Sequence, residues 1–91
     1  MSLTIGSVTF DRVSYDRDAD VLYLSVGDPA SAVDFDESAE GHALRYDGEG
    51  RLVGLTIVGA STLLQRDDEI VVTPPQLRVE RGELAAALAA A

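Results

Sequence analysis

Asp34, Asp36, Glu37, Glu40 and His42 form the one stretch of this 91-residue chain where carboxylates gather beside its single histidine. The chemistry such residues offer is metal binding or proton transfer. A transition-metal site generally wants two or more imidazoles or thiolates, and this chain supplies one imidazole and no cysteine. Dimer symmetry could bring a second His42 to the same ion. The competing reading is a partly buried, hydrogen-bonded histidine at a strand start, beside an acidic surface that simply stays solvated. Arg45 and Tyr23, expected on one sheet face, could bind an anion or merely touch across strands. His42, Arg45 and Tyr23 are therefore the candidate ligand residues. Asp34, Asp36, Glu37 and Glu40 are the candidate residues for binding a protein partner.

Other chemistries fail on spacing. Asp16, Asp18 and Asp20 open like a calcium-binding loop, but Val21 stands where that loop needs glycine and Gly27 where it needs a bidentate glutamate. A solvated turn suits them better. Paired carboxylates work as acid and base only where different environments split their pKa values, and the acids here sit in turns, loops or exposed positions. No Gly-x-Ser-x-Gly elbow accompanies His42, and the glycines at 48, 50 and 54 miss the dinucleotide-binding spacing. All seven bases are arginine, so no lysine exists for a Schiff base or a phosphate-binding loop. No catalytic residue, metal ligand set or cofactor is assigned, and the balance is against an enzyme.

The elements that must carry these residues read as hairpins. Val8–Tyr15 has strand character, with Val8 and Phe10 on one face and Val13 and Tyr15 on the other. The aspartates from Asp16 to Asp20 favour a turn, because short carboxylates bond nearby backbone N–H groups. Val21–Val26 returns as a strand with Leu22, Leu24 and Val26 on its apolar face and Val21, Tyr23 and Ser25 on the other. Residues 27–41 read as an acidic surface loop with a short edge strand around Ala32–Phe35. His42–Tyr46 and Arg51–Val58 then flank Asp47-Gly48-Glu49-Gly50, a second hairpin turn. His42, Leu44 and Tyr46 share a face, and Gly54 in mid-strand marks a bulge or a close approach. Ser61–Gln65 suggests a short helix capped by Ser61 or Thr62. Glu69–Thr73 is a strand stopped by Pro74-Pro75, and Glu80 to about Ala90 a helix with Leu84 and Leu88 on one stripe. The strand and that helix either complete the monomer's core or pair with another copy. Met1-Ser2-Leu3 is given no structural weight.

Size and charge bound the rest. A chain of this length is one domain that buries roughly 60–65% of its unfolded surface, so a homodimer is a natural way to bury more. The net charge of −9, seven bases against sixteen acids, repels a phosphate backbone and disfavours direct nucleic-acid binding. It suits a basic protein partner, or serves solubility alone. No basic-then-apolar leader heads the chain, and the Ala-rich tail falls short of the roughly 20 apolar residues that cross a bilayer. A cytoplasmic protein without membrane contact is the expectation.

An ordered set of residues carries a family resemblance. Tyr15-Asp16, Asp20, Leu22-Tyr23-Leu24, Tyr46-Asp47 with Gly50, and Val53-Gly54 with Ile57, Ala60 and Ser61 resemble the pattern of the small bacterial DUF2283 domains. The likeness spans Val13 to Leu64, leaving 65–91 as a strand-plus-helix extension. Thr56, where an acidic residue is common, and a longer segment between the hairpins depart from the pattern. The resemblance implies a compact β-rich domain with no established activity. Because such domains often sit beside genes for small toxins, it also suggests an antitoxin-like role. The expected fold is α+β: a twisted antiparallel sheet of four to five strands built from hairpins, with a C-terminal α-helix, in a single domain over 1–91. Three functions follow in order: a non-catalytic interaction module, a bare structural dimer, and a small-ligand or metal-dependent enzyme using His42.

Overall fold

The computed structural model describes residues 2–5, 8–28, 31–73, 77–80 and 82. Its centre is one antiparallel sheet of five strands, β3 (Arg12–Asp16), β4 (Val21–Ser25), β5 (Asp34–Glu37), β6 (Ala43–Tyr46) and β7 (Leu52–Val58). They lie in the order β3-β4-β7-β6-β5. A hairpin of β1 (Leu3–Ile5) and β2 (Val8–Phe10) precedes the sheet, and α1 (Ala60–Asp67) with the pair β8 (Glu69–Val72) and β9 (Leu77–Glu80) follows it. The α+β class and the antiparallel hairpin sheet agree with the sequence expectation.

Alternation sorts the side chains. Leu22, Leu24, Leu44, Leu55 and Ile57 point to one face and are buried. There Ile5 and Phe10 from the first hairpin, Ala60 and Leu64 from α1, and Ile70, Val72 and Val79 from β8–β9 join them in a single apolar core. The opposite face stays largely open and carries Tyr23 and Arg45. In the middle of it Gly54 is buried, because Arg45 lies across it: a Cβ there would stand 3.1 Å from Arg45 Cβ. The register also shifts beside this glycine, between Arg45 and Tyr46, so the mid-strand glycine marks both a bulge and a close approach.

The expected Val8–Tyr15 strand is in fact two. At Asp11 the chain bends, and the Asp11 carboxylate accepts the Gly27 N–H at 3.0 Å, a partner sixteen residues away. The bend restarts the alternation. Phe10 is fully buried, yet Val13 and Tyr15 pack on the same core rather than opposite it. Leu3, to which the sequence alone assigns no structural role, begins the hairpin that covers the core.

The turn after β3 does two jobs. Asp16 Oδ1 accepts the N–H groups of Asp18 and Ala19 at 3.1 and 3.2 Å, which closes the hairpin locally. Asp20 is left-handed, with φ 56°, a conformation aspartate tolerates. The β4–β7 register sets Val21 opposite Val58, so Asp20 arrives beside the residues that start α1. Its carbonyl accepts the N–H groups of Gly59 and Ala60 at 2.8 and 3.1 Å. Its carboxylate accepts those of Ser61 and Thr62 at 2.8 and 3.2 Å, the Thr62 hydroxyl at 3.0 Å and the Tyr15 hydroxyl at 2.6 Å.

Asp20 thereby corrects the expected cap. The helix runs from Ala60 to Asp67 with Gly59 at its N-cap and no side-chain cap of its own. Ser61 and Thr62 lie inside its first turn, and the exposed N–H groups there are met by a carboxylate from another hairpin. Burial works against the charge on Asp20, but the hydrogen bonds from Tyr15, Ser61 and Thr62 outweigh it and hold the carboxyl far below the usual range. The same bond to Asp20 pushes the Tyr15 hydroxyl's pKa up.

Three further placements differ from expectation. The edge strand lies at Asp34–Glu37, two residues beyond the predicted stretch. The strand expected at Glu69–Thr73 exists as β8, and its partner is β9 of the same chain. Glu80 ends β9 rather than opening a helix, whereas Gly82 is helical as expected; the rest of the predicted 80–90 helix, with Leu84 and Leu88, lies outside the described residues. No helix among the described residues is long and apolar enough to cross a membrane.

Candidate functional site

The four acids singled out for partner binding divide between two settings. Asp34, Asp36 and Glu37 stand on β5, an edge strand of the sheet, and every residue of that strand is exposed. Asp36 Oδ1 accepts the N–H of its neighbour Glu37 at 2.8 Å. Glu40 is turned to another task. Its carboxylate accepts the Thr73 N–H at 2.8 Å, and Ala39 N–H donates to the Thr73 carbonyl at 2.7 Å, so this loop is tied to the end of β8. Burial opposes the Glu40 charge, yet the bond from Thr73 prevails and pulls its pKa below the ordinary value.

His42 is only 2% exposed. Its backbone N–H donates to Ser38 Oγ at 2.9 Å, its carbonyl accepts the Ser38 N–H at 2.7 Å, and its Nδ1 accepts the Val58 N–H at 3.3 Å. An accepting Nδ1 places the ring proton on Nε2, which makes the imidazole neutral. Desolvation lowers the pKa, and nearby Glu40 only partly offsets that. His42 and Glu40 share the wall of a cavity of about 440 Å³ with Leu63, Arg66, Asp67, Glu69, Ile70 and Val71. Asp34, Asp36 and Glu37 do not line it. A larger cavity of about 580 Å³, beside Val8, Gly27, Leu52 and Arg51, contains none of the candidate residues.

His42 has a measurable signature. A histidine whose folded pKa is depressed stays neutral in the fold while the unfolded chain takes up a proton below its ordinary value of 6.5. Stability from this residue is therefore complete above about pH 6.5 and declines as pH falls below it. Urea unfolding at pH 7.5 and pH 5 should show that decline in the native chain. In His42→Leu most of that decline should disappear between those two values, leaving only the small part that Glu40 begins to contribute near pH 5. An unchanged slope would show that another group titrates.

The remaining candidates stay apart. His42 lies on the covered side of the sheet, whereas Tyr23 and Arg45 lie on the open one, in adjacent cross-strand rows with Thr56 and Gly54 between them. Asp16, Asp18 and Asp20 do not converge either, since Asp16 closes its own turn and Asp20 reaches α1. Among the described residues no group of three or more histidines, cysteines or acids could hold a metal ion. Sequence reasoning placed Asp20 in a turn but missed its hold on the helix start, whose Ser61 and Thr62 lie some forty residues away. Its signals were Gly59, a helix start with no side chain to cap it, and the presence of Tyr15, Asp20 and Ser61 in one residue pattern.

These features define a small α+β domain built on an antiparallel hairpin sheet, with an acidic outer strand and a structural histidine. Residues 12–61 match the model of the family described as "Protein of unknown function (DUF2283)", and the chain belongs to that family. The matched span holds Tyr15, Asp20 and Ser61, so all of the bond network between the β3–β4 hairpin and the helix start falls within it except the two bonds from Thr62. No curated protein matches the chain, and no solved structure does.

Proposed function

We propose that the domain is a non-catalytic interaction module that engages a basic protein, as an antitoxin engages a small toxin, through Asp34, Asp36 and Glu37. One observation carries this reading: the most acidic strand among the described residues is an edge strand of the sheet, exposed along its whole length. Three carboxylates in four residues set up a local field that attracts cations over about a Debye length, roughly 10 Å at 0.1 M salt. Glu40, occupied with Thr73, adds charge at the flank and fixes the loop, so its part is support rather than contact.

Affinity capture from the native lysate across a salt series tests this. A single basic partner should be retained at low salt and released as salt rises, and the variant Asp34→Asn, Asp36→Asn, Glu37→Gln should retain none. Capture indifferent to salt would overturn the electrostatic mechanism. Capture of nothing at any salt would move the weight to the second reading, a small ligand in the cavity walled by His42 and Glu40.

A further inference from the structure

Among the described residues β5 pairs only with β6, so its other side is a sheet edge. The phase of the ladder says which backbone groups face outward. Ser38 N–H donates to the His42 carbonyl, and hydrogen-bonded pairs recur every second residue in an antiparallel ladder. Asp36 and Asp34 therefore direct their backbone groups at Leu44 and Tyr46, while those of Phe35 and Glu37 face away from the sheet. One of these outward donors is covered, because Glu37 N–H is the group that Asp36 Oδ1 accepts. Phe35 is 71% exposed, and Val33, just before the strand, 59%.

We propose that β5 is a guarded edge that takes up an extended segment of another protein carrying basic side chains, with Asp36 as the guard. This rests on the reading of β5 as the interaction site and adds the mode of binding, strand addition.

The charges exclude the nearest alternative. If a second copy paired antiparallel with Phe35 opposite Glu37, Asp36 would face Asp36; with Phe35 opposite Phe35, Asp34 would face Asp36. Like charges directly across a ladder destabilise it. A neutral strand meets a different obstacle, since it must draw Asp36 off the Glu37 N–H and give that carboxylate nothing. A lysine or arginine on the incoming strand gives the Asp36 carboxylate a charged partner and releases the N–H to the incoming carbonyl. The exposed Phe35 and Val33 then offer apolar contact beside the new backbone bonds.

The test uses the intact chain and synthetic peptides of about eight residues, the span of a long strand. One alternates lysine with valine, and another alternates glutamate with valine. Two more repeat the lysine peptide with N-methyl groups on every valine or on every lysine. Titration calorimetry at low salt should show the lysine peptide binding and the glutamate peptide failing. One methylated form, its charge intact, should bind at least about tenfold more weakly. Amide exchange of Phe35 and Glu37 should slow on binding. Asp36→Ala should weaken the lysine peptide while admitting a neutral threonine–valine peptide that the native chain refuses. Equal binding of all three lysine peptides would overturn strand addition but leave charge-driven capture standing. Absence of any lysine-peptide binding, together with an empty lysate capture, would remove both.

Discussion

Asp20→Ala should lower the stability of the domain by about 2–4 kcal/mol. Loss of a helix cap costs about 0.5–2 kcal/mol, and the Tyr15 hydroxyl, left half-buried without its acceptor, adds about 1–3. In a domain of this size the melting temperature should fall on the order of 10–25 °C. Urea unfolding measures the first quantity and a thermal melt the second. Asp20→Asn, which keeps an acceptor but loses the charge, should fall between. The effect should also depend on pH in a definite direction. Because hydrogen bonds hold the folded carboxyl below its ordinary 3.8, its contribution is complete above about pH 4 and is lost as pH falls through the depressed value. Asp20→Asn should flatten that acid limb. An alanine variant as stable as the native chain would show that α1 needs no help from the β3–β4 hairpin.

A chain trimmed to residues 12–61, the span that matches the family, should fail to fold cooperatively. The core explains why. Leu22, Leu24, Leu44, Leu55, Ile57 and Ala60 belong to that span, but Ile5, Phe10, Leu64, Ile70, Val72 and Val79, an equal number, come from outside it. Each such side chain contributes about 1.5–3 kcal/mol by leaving water, so the trimmed chain would expose one apolar sheet face and lose much of its driving force. Circular dichroism with a denaturant titration should show no sigmoidal transition, or a concentration-dependent one if copies pair through the bared face. Phe10→Ala in the full chain asks the same question more gently and should cost about 3–5 kcal/mol. A monomeric, cooperatively folding 12–61 fragment would refute this view of the core.

Local patterns in the chain revealed the parts whose causes are local. The β3–β4 and β6–β7 hairpins, the inward faces of β4, β6 and β7, and the structural burial of His42 all follow from alternation and turn residues a few positions apart. Asp47, for example, binds the N–H groups of Glu49 and Arg51 in its own turn, and Gly50 takes a left-handed φ of 80°. What stayed hidden depends on distant partners. Asp11 reads as one more polar residue until Gly27 comes to it, and the bend it makes reverses the alternation ahead of it. Leu77–Glu80 has little pattern of its own and becomes a strand by pairing with β8. The candidate site shows the same division. Charge and exposure on β5 were readable. Alternation also put His42 and Arg45 on opposite faces; what it could not show was which of those faces is covered.

The Asp20 network has a further consequence, for misfolding. Hydrophobic alternation rejects a β4–β7 pairing shifted by one residue, since every buried side chain would turn to water. It cannot reject a shift of two, which keeps each leucine on its proper side. Such a slip would carry Asp20 about 6.6 Å along the strand direction, beyond hydrogen-bond reach of Ser61 and Thr62. The helix start would lose its carboxylate, while the bond from Tyr15, which lies within the β3–β4 hairpin, would move with it. One aspartate thus proofreads the sheet, marking as wrong an arrangement that oil-and-water sorting would accept.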